Sequence, residues 1–505
     1  MNVLIYFLAA IVSIAPLLGG IWNIEIQTFL QSSILIIFSF YTAFLLYYKK
    51  LPAFFLDTKS KVIGLLLFLS AISLLLSPIK NLITGEWLNL AIGFLIIILS
   101  RGLSSREEEK IFKFILLSAY LIYAMAFYEI LFKGQFPPAS TLINPNALAL
   151  FSLMVIPLAI SIKNYALAGI GFIVLILTAS LAGFMAFILA LFFYLFEKYG
   201  LKNKKFIIPF IGFGLILVIY GFAGLEFKSI LDRLIWWRDG FKIVADRSIM
   251  GFGFGSFSFI YPAYHEAVSG GISSLYAHNY FLEFLAENGI VSSIIWFVFL
   301  TISFIKGRTI IKYSILAVLL HSFVDFGLSL PFNFWLFCFI LAINNKPSKI
   351  DAYIKPVYGK IYALIIFCLL LTSLNYGYKR LKLNAAYKDI IKVSSVGDFN
   401  ESLNLLDRAI IIDKNNSLIY KLKGNIYLDV ARKKKDEAMA GVVSRTMSIK
   451  TARFLYFEAA TAFEEALLIN PYDKAVYKKL LKIYESAGEK KLIKDIKIRR
   501  AEFIK

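Results

Sequence analysis

Within the strongly apolar residues 1–376, ionisable and aromatic residues concentrate in one segment, 225–289. His278 is one of only three histidines in the chain, and it precedes an apolar helical stretch. Because histidine titrates near neutral pH, His278 is a candidate general base. Arg233 is a candidate for holding a phosphate, because a guanidinium binds an anion through two hydrogen bonds. A lone histidine near a helix start is more often structural, and that alternative stays open.

The same segment supplies further candidates for contact with a diphosphate or a glycan: Arg238, Lys242, Arg247, Trp237, Asn279 and Tyr280. Its acidic residues are scattered without metal-ligand spacing, so we expect no metal and no cofactor, and phosphate charge would be met by Arg or Lys. Gly251, Gly253 and Gly255 are spaced like part of a nucleotide-binding loop, but no strand precedes them. They predict a tight turn that lets the backbone approach a ligand or a neighbouring helix.

A second polar pair, His321 and Asp325, lies four residues apart in an apolar run that predicts a membrane span over 309–326. Helical spacing would place both side chains on one face of that span. Polar groups at membrane depth are costly and often functional. A structural hydrogen bond between helices is an equally compatible interpretation.

The elements that position these residues are helices. The chain is 59% hydrophobic, whereas soluble domains are roughly 45–50% apolar. We predict an all-α fold, in which a polytopic transmembrane bundle of about thirteen spans over residues 1–378 precedes a soluble TPR-like helical-repeat domain over 379–505. The predicted spans are 3–20, 30–48, 62–77, 87–100, 111–132, 147–162, 165–179, 181–197, 206–224, 290–305, 309–326, 330–343 and 357–376.

Lysines and arginines alternate between the loops of this bundle. One set of loops is rich in them, whereas the other short loops contain only Lys80 and Lys133. The positive-inside rule places the rich set in the cytoplasm. We therefore expect a multi-pass protein of the inner (cytoplasmic) membrane, with loop 225–289 and the C-terminal domain on the periplasmic or extracytoplasmic side.

The C-terminal segment shows two helix-turn-helix patterns, and the second resembles a tetratricopeptide repeat. In that copy, small residues occur where helices approach and a proline follows the first helix: Ala459, Ala466, Pro471, Tyr477 and Tyr484. Residues 432–450 form a predicted irregular basic insertion between the copies. A repeat stack offers a concave surface to protein partners, and its basic charge could attract phosphorylated glycolipids. A purely structural cap is the alternative.

Several motifs, taken in order, resemble the superfamily of O-antigen ligases and Wzy-type O-antigen polymerases. They are Arg233 with Trp237, Gly251-Phe-Gly-Phe-Gly with Phe257, His278-Asn279-Tyr280, Glu287-Asn-Gly-Ile290, and His321-Ser-Phe-Val-Asp-Phe326 followed by Pro331. The resemblance extends loosely over residues 1–345 through the number of spans and the large external loop. A tetratricopeptide-type C-terminus also recurs in such proteins.

The resemblance implies glycan transfer from undecaprenyl diphosphate on the outer face of the membrane, by inversion and without metal or cofactor. The acceptor would be lipid A-core or another glycolipid in lipopolysaccharide biosynthesis, a growing polysaccharide, or a protein. His278 would be the base and Arg233 would hold the diphosphate. At the start of a mid-chain span, Leu181 stands where many members have an arginine. Another cation, such as Arg238, Lys242 or Arg247, would then serve the phosphate.

Two other classes of function remain as alternatives. One is a transporter of a small anion or a glycolipid, which would place polar residues in broken helices at mid-membrane. The other is a non-catalytic scaffold that recruits an envelope polysaccharide assembly complex through its repeats. We expect no nucleic-acid partner, because the basic residues of the membrane part lie in short loops where they set topology.

Overall fold

The computed structural model describes residues 2–19, 23–48, 52–200, 227–266, 274–307, 310–347, 356–439 and 445–505. The nineteen α-helices are α1 (Asn2–Leu17), α2 (Ile24–Tyr47), α3 (Thr58–Leu76), α4 (Lys80–Ser100), α5 (Ser105–Lys133), α6 (Pro145–Ser161), α7 (Tyr165–Leu177), α8 (Leu181–Tyr199), α9 (Phe227–Asp246), α10 (Phe257–Tyr264), α11 (Tyr280–Ile305), α12 (Lys312–Ser322), α13 (Pro331–Asn344), α14 (Pro356–Ser395), α15 (Phe399–Ile412), α16 (Ser417–Met439), α17 (Arg445–Ile469), α18 (Lys474–Ala487) and α19 (Lys490–Phe503). Within these ranges no strand is present, so the predicted all-α class is confirmed.

Among the described residues, seven helices are long and apolar enough to cross a membrane: α2, α3, α4, α5, α8, α11 and α14. Three shorter apolar helices, α6, α7 and α13, pack among them. Helices α4 and α13 are almost wholly buried, whereas α2, α3 and α5 expose large apolar side chains such as Phe40, Phe68 and Phe132. Such faces suit lipid rather than water. The chain is a multi-pass membrane protein, and the count of about thirteen spans stays a prediction, since 206–224 lies outside the described residues.

The buried ion pair of Arg101 holds three segments together at one end of the bundle. The guanidinium binds both carboxylate oxygens of Asp57, and its Nη1 also donates to Ser60 Oγ at 2.8 Å. Its Nε donates to the carbonyl of Asn345 at 2.8 Å. The Arg101 side chain is only 1% exposed. Such a buried charge is tolerated because every side of it is paired.

Helix α14 runs through the predicted boundary between residues 378 and 379, so a continuous helix connects the membrane bundle to the C-terminal helices. Helices α15 to α19 then pack in sequence order. The residues expected at close helix approaches are buried: Ala459, Ala466, Tyr477 and Tyr484. The predicted irregular insertion over 432–450 is wrong for 432–439, where α16 continues to Met439, and for 445–450, where α17 has already begun. Lysine, glutamate and alanine are good helix formers, and Lys434 pairs with Glu437 one turn later.

The C-terminal helices dock on the segment that follows α9. Lys474 Nζ donates to the carbonyl of His265 at 2.7 Å, and the backbone N–H of Lys505 donates to the carbonyl of Ala263 at 2.9 Å. Tyr472 packs edge-on against Phe252 at 5.5 Å between ring centroids. The last helices therefore lie against loop 225–289, the part of the membrane domain that carries the candidate site.

Candidate active site

A break in α11 fixes the geometry of the site. Gly289 has φ 73° within that helix, so the helical hydrogen bonds of the preceding residues are interrupted. The turn at Gly251, Gly253 and Gly255, here called the glycine turn, supplies hydrogen bonds in their place. The N–H of Phe252 donates to the carbonyl of Ala286 at 3.1 Å, and the N–H of Gly253 donates to the carbonyl of Glu287 at 2.7 Å. A Cβ at Gly251 would lie 2.4 Å from the Glu287 backbone. The glycine turn thus serves a neighbouring helix, which was one of its two predicted uses.

Helix α9 presses one face against the loop that leads into α11. Trp237 Nε1 donates to the carbonyl of Ala277 at 3.1 Å. One residue earlier, Trp236 stacks on the His278 ring, with centroids 4.5 Å apart and planes inclined by 26°. Arg233 lies one turn before Trp236 on the same helix. An amphipathic helix therefore sets the position of the candidate base.

His278 is held on several sides. Its φ of 48° lies in the left-handed region, which is sparsely populated for residues with a side chain. Phe326 meets the ring edge-on at 4.8 Å between centroids. The buried Nδ1 of His278 lies 3.7 Å from Oδ2 of Asp325. The Nδ1 edge therefore faces a carboxylate, and the side chain remains 17% exposed.

Asp325 belongs to this cluster rather than to a helical pair with His321. The predicted helical face is wrong, because α12 ends at Ser322 and Asp325 lies in the following connection. Asp325 is fully buried and accepts hydrogen bonds from Asn146 Nδ2 at 2.8 Å and from the N–H of Gly327 at 3.0 Å. His321 is also fully buried, and neither of its ring nitrogens has a hydrogen-bond partner among the described residues.

Arg233 reaches the same connection from α9. Its Nε donates to the carbonyl of Val324 at 3.0 Å, and Nη1 donates to Ser229 Oγ at 2.6 Å. Val324 immediately precedes Asp325, the residue that faces His278. Tertiary packing therefore brings Arg233 and His278 to one cluster, which we call the His278 cluster: Arg233, Trp236, His278 and Asp325.

The other predicted cations lie elsewhere. Arg238 and Lys242 both pair with the fully buried Asp239, at 2.8 and 3.6 Å. Asp239 also faces His265 Nδ1 at 3.2 Å, on the side of α9 where Lys474 docks. Arg247 lies beyond the end of α9. Its Nη1 donates to the carbonyl of Leu76 at 3.2 Å, and its guanidinium lies over the Phe252 ring.

Asn279 and Tyr280 have structural partners. The Asn279 side chain caps α11 by accepting from the N–H of Leu282 at 3.0 Å. Tyr280 is 1% exposed, and its hydroxyl accepts from the Trp296 indole at 3.1 Å. Both residues thus anchor the start of α11, directly after His278. Their expected contact with a substrate stays a prediction.

A cavity of about 270 Å³ lies beside the His278 cluster. Its polar lining includes Gln27, Glu86, Tyr276, Glu283, Glu287 and Arg380. Tyr276 lines the cavity and stacks on Phe326 at 4.5 Å between centroids, and Phe326 in turn contacts the His278 ring. Glu283 is 5% exposed and accepts from the N–H of Ala277 at 2.8 Å.

Sequence reasoning missed this cavity. One signal was available, because Glu283 and Glu287 are two carboxylates one turn apart at the start of an apolar run. Glu86 and Arg380, in contrast, are brought to the cavity by distant helices, α4 and α14. Among the described residues, no group of three or more His, Cys, Asp or Glu side chains is placed to hold a metal ion.

The fold and this cluster define a multi-pass helical membrane protein with a polar site built from its large loop. Residues 166–297 match the family model described as O-antigen ligase. The match supports the O-antigen ligase superfamily for this part of the chain, which contains Arg233 and His278. No curated protein matches the chain by sequence comparison. The family supports O-antigen ligase-type glycan transfer as the general activity, with a lipid-linked glycan donor and a polysaccharide acceptor.

Proposed function

We propose that this protein transfers a glycan from undecaprenyl diphosphate to an acceptor hydroxyl at the outer face of the inner membrane. The observation that carries the proposal is the convergence of a histidine, a buried carboxylate and an arginine in the His278 cluster. The acceptor is a glycolipid such as lipid A-core, a polysaccharide or a protein. The C-terminal helices then lie on the same, extracytoplasmic side and cap the loop on which they dock.

His278 acts as the general base in this proposal. Because Nδ1 is buried against Asp325, Nε2 is the nitrogen that accepts the proton of the acceptor hydroxyl. The acceptor oxygen forms a bond to the anomeric carbon while the bond from that carbon to the diphosphate oxygen breaks, with inversion. The carboxylate of Asp325 stabilises the imidazolium that forms, as a buried aspartate does in other histidine-based sites. Asp325 is thus a positioning residue.

Arg233 stabilises the leaving diphosphate. Charge develops on the leaving oxygen as its bond to the sugar breaks, and a fixed guanidinium lowers the barrier to that step. The Val324 and Ser229 contacts hold the guanidinium in place before the donor arrives. Since Arg238 and Lys242 are paired with Asp239, we propose Arg380 as the second cation, reaching the donor from the neighbouring cavity.

The cavity of about 270 Å³ receives a sugar of the donor or the acceptor. Carboxylates, an amide and a guanidinium suit hydroxyl groups, which both donate and accept hydrogen bonds. The aromatic side chains in its wall, Phe254, Phe257 and Tyr276, offer flat apolar surface to the ring carbons. Because Tyr276 stacks on Phe326, and Phe326 meets the His278 ring, a sugar in this cavity would lie two aromatic side chains away from His278.

A transporter is the second candidate, and a specific observation favours it. Helix α11 is broken at Gly289, and the buried carboxylates Glu283 and Glu287 precede the break. Broken helices with polar side chains are typical of transport sites in membranes. Proteoliposomes that take up a small anion or move a glycolipid between leaflets, without any transfer product, would favour this function.

The deciding experiment is a transfer assay with purified full-length protein, an undecaprenyl-diphosphate glycan and an acceptor glycolipid or polysaccharide. We expect His278→Ala and Arg233→Ala to abolish transfer while the proteins stay folded. His265→Ala and the exposed Arg408→Ala are matched controls outside the His278 cluster, and they should transfer glycan normally. Full activity of both cluster variants would remove the proposed mechanism. Absence of transfer by the folded wild-type protein would instead favour the non-catalytic scaffold.

A further inference from the structure

A groove with a basic wall lies between α16, α17 and α18, away from the His278 cluster. Its volume is about 550 Å³. Its cationic lining residues are Arg432, Lys435, Arg453, Lys479 and Lys482, and none of the described residues that line it is acidic. We call this feature the basic groove.

Much of the positive charge in the basic groove is not neutralised. Arg432 lies 3.4 Å from Asp429. In the described part of the chain, Lys435, Arg453 and Lys482 form no ion pair with an acidic side chain. Burial, and after it the positive charge of Lys421, lower the pKa of Lys479. The groove therefore suits a ligand that brings several negative charges.

The groove also exposes apolar surface. Met439 is 72% exposed and Ile449 is 49% exposed at its edges. Leu428, Tyr456 and Ile483 contribute apolar surface deeper in the lining. Large apolar side chains left in water at a concave surface often mark a site of association. A ligand that fits would therefore carry both acidic and apolar groups.

The arrangement of these groups favours a helix over a lipid. Along α16 the lining residues Leu428, Arg432, Lys435 and Met439 follow one another at intervals of four, three and four. Apolar and basic groups thus interleave at helical spacing, instead of separating into a charged mouth and an apolar tunnel for an acyl chain. This stretch of α16 is about 16 Å long, which matches roughly three turns of a docked helix.

We propose that the basic groove binds an acidic amphipathic helix of about three turns supplied by a protein partner. The apolar face of that helix covers Met439 and Ile449, and its acidic flanks pair with Lys435, Arg453 and Lys482. The partner would thereby be recruited to the C-terminal helices, which dock on loop 225–289. This binding function is separate from glycan transfer, so either proposal can fail without the other.

The probe is a fluorescein-labelled peptide of about fourteen residues with leucines on one helical face and glutamates on the other. Its anisotropy is followed as full-length protein in phosphatidylcholine nanodiscs is added. A groove variant combines Lys435→Glu, Arg453→Glu and Lys482→Glu. A matched control combines Lys491→Glu, Lys494→Glu and Lys497→Glu, which reverse three exposed charges on α19. Circular dichroism checks that both variants remain helical.

We expect the groove variant to weaken peptide binding about tenfold or more, and the control variant less than about twofold. Met439→Gln should weaken binding without any change in charge. A peptide of the same composition with its leucines spread around the helix should bind poorly. Equal losses in both charge variants, or equal binding of both peptides, would overturn the proposal. So would phosphatidylglycerol vesicles that bind through the groove while the peptide does not.

Discussion

Replacement of Asp325 by Asn tests how the candidate base is positioned. The substitution keeps the size of the side chain and can keep the hydrogen bond from the N–H of Gly327. It removes the negative charge that lies 3.7 Å from Nδ1 of His278. It also places an amide where Asn146 now donates to a carboxylate oxygen. We therefore expect a folded protein in which the positive charge that develops on His278 during transfer lacks its facing carboxylate.

The size of the effect follows from the distance. Two unit charges about 3.7 Å apart at an effective dielectric constant of about 20 attract each other by about 4.5 kcal/mol. That is an upper bound for catalysis, because the proton is only partly transferred to His278 in the transition state. With about 1.4 kcal/mol for each factor of ten, we expect the turnover rate of Asp325→Asn to fall about 10²- to 10³-fold.

The assay is single-turnover transfer from an undecaprenyl-diphosphate glycan, measured across pH with protein saturated by donor. Asp239→Asn is the control, because Asp239 is equally buried and faces His265 rather than His278. We expect this control to change the melting temperature but not the turnover rate. A rate for Asp325→Asn within about twofold of wild type, in a folded protein, would refute the role of Asp325.

Two further predictions concern stability. Gly289→Ala should unfold α11 locally and abolish activity, because the new Cβ would lie 2.0 Å from the Ile249 carbonyl oxygen at a φ of 73°. Gly64→Ala is the control: no atom lies within 4 Å of its new Cβ, so the melting temperature should stay unchanged or rise. Burial acts to raise the pKa of Asp57, but Arg101 and Ser60 outweigh it and hold the pKa below the usual 3.8. The stability that the charged Asp57 contributes is present above its unfolded pKa and is lost as the pH falls through the lowered folded value. The melting temperature of the wild type should therefore drop below about pH 4 more steeply than that of Asp57→Asn. Parallel plots of melting temperature against pH for the two proteins would contradict this expectation.

Local sequence pattern predicted much of this protein. The length and apolar composition of successive runs indicated membrane helices, because both properties depend only on residues close together in the sequence. Apolar residues recur at helical spacing over 229–245, and the structure has an amphipathic helix there, α9, with Arg233 and Trp236 one turn apart. His278 was a candidate base because histidine is rare in this chain and this one lies in a loop with several arginines. The O-antigen ligase resemblance, carried by motifs in the same loop, is confirmed by the match over residues 166–297.

Tertiary structure decided which of these residues meet. Asp325 was expected to pair with His321 along a helix, yet the helix ends at Ser322, and Asp325 faces His278 while binding Asn146. Arg233 joins that cluster, whereas Arg238 is drawn to Asp239 on another side of the same helix. Such choices depend on how helices far apart in the chain pack and on where buried charges find partners. The residue types and their helices are encoded locally, but their partners are set only when the bundle closes.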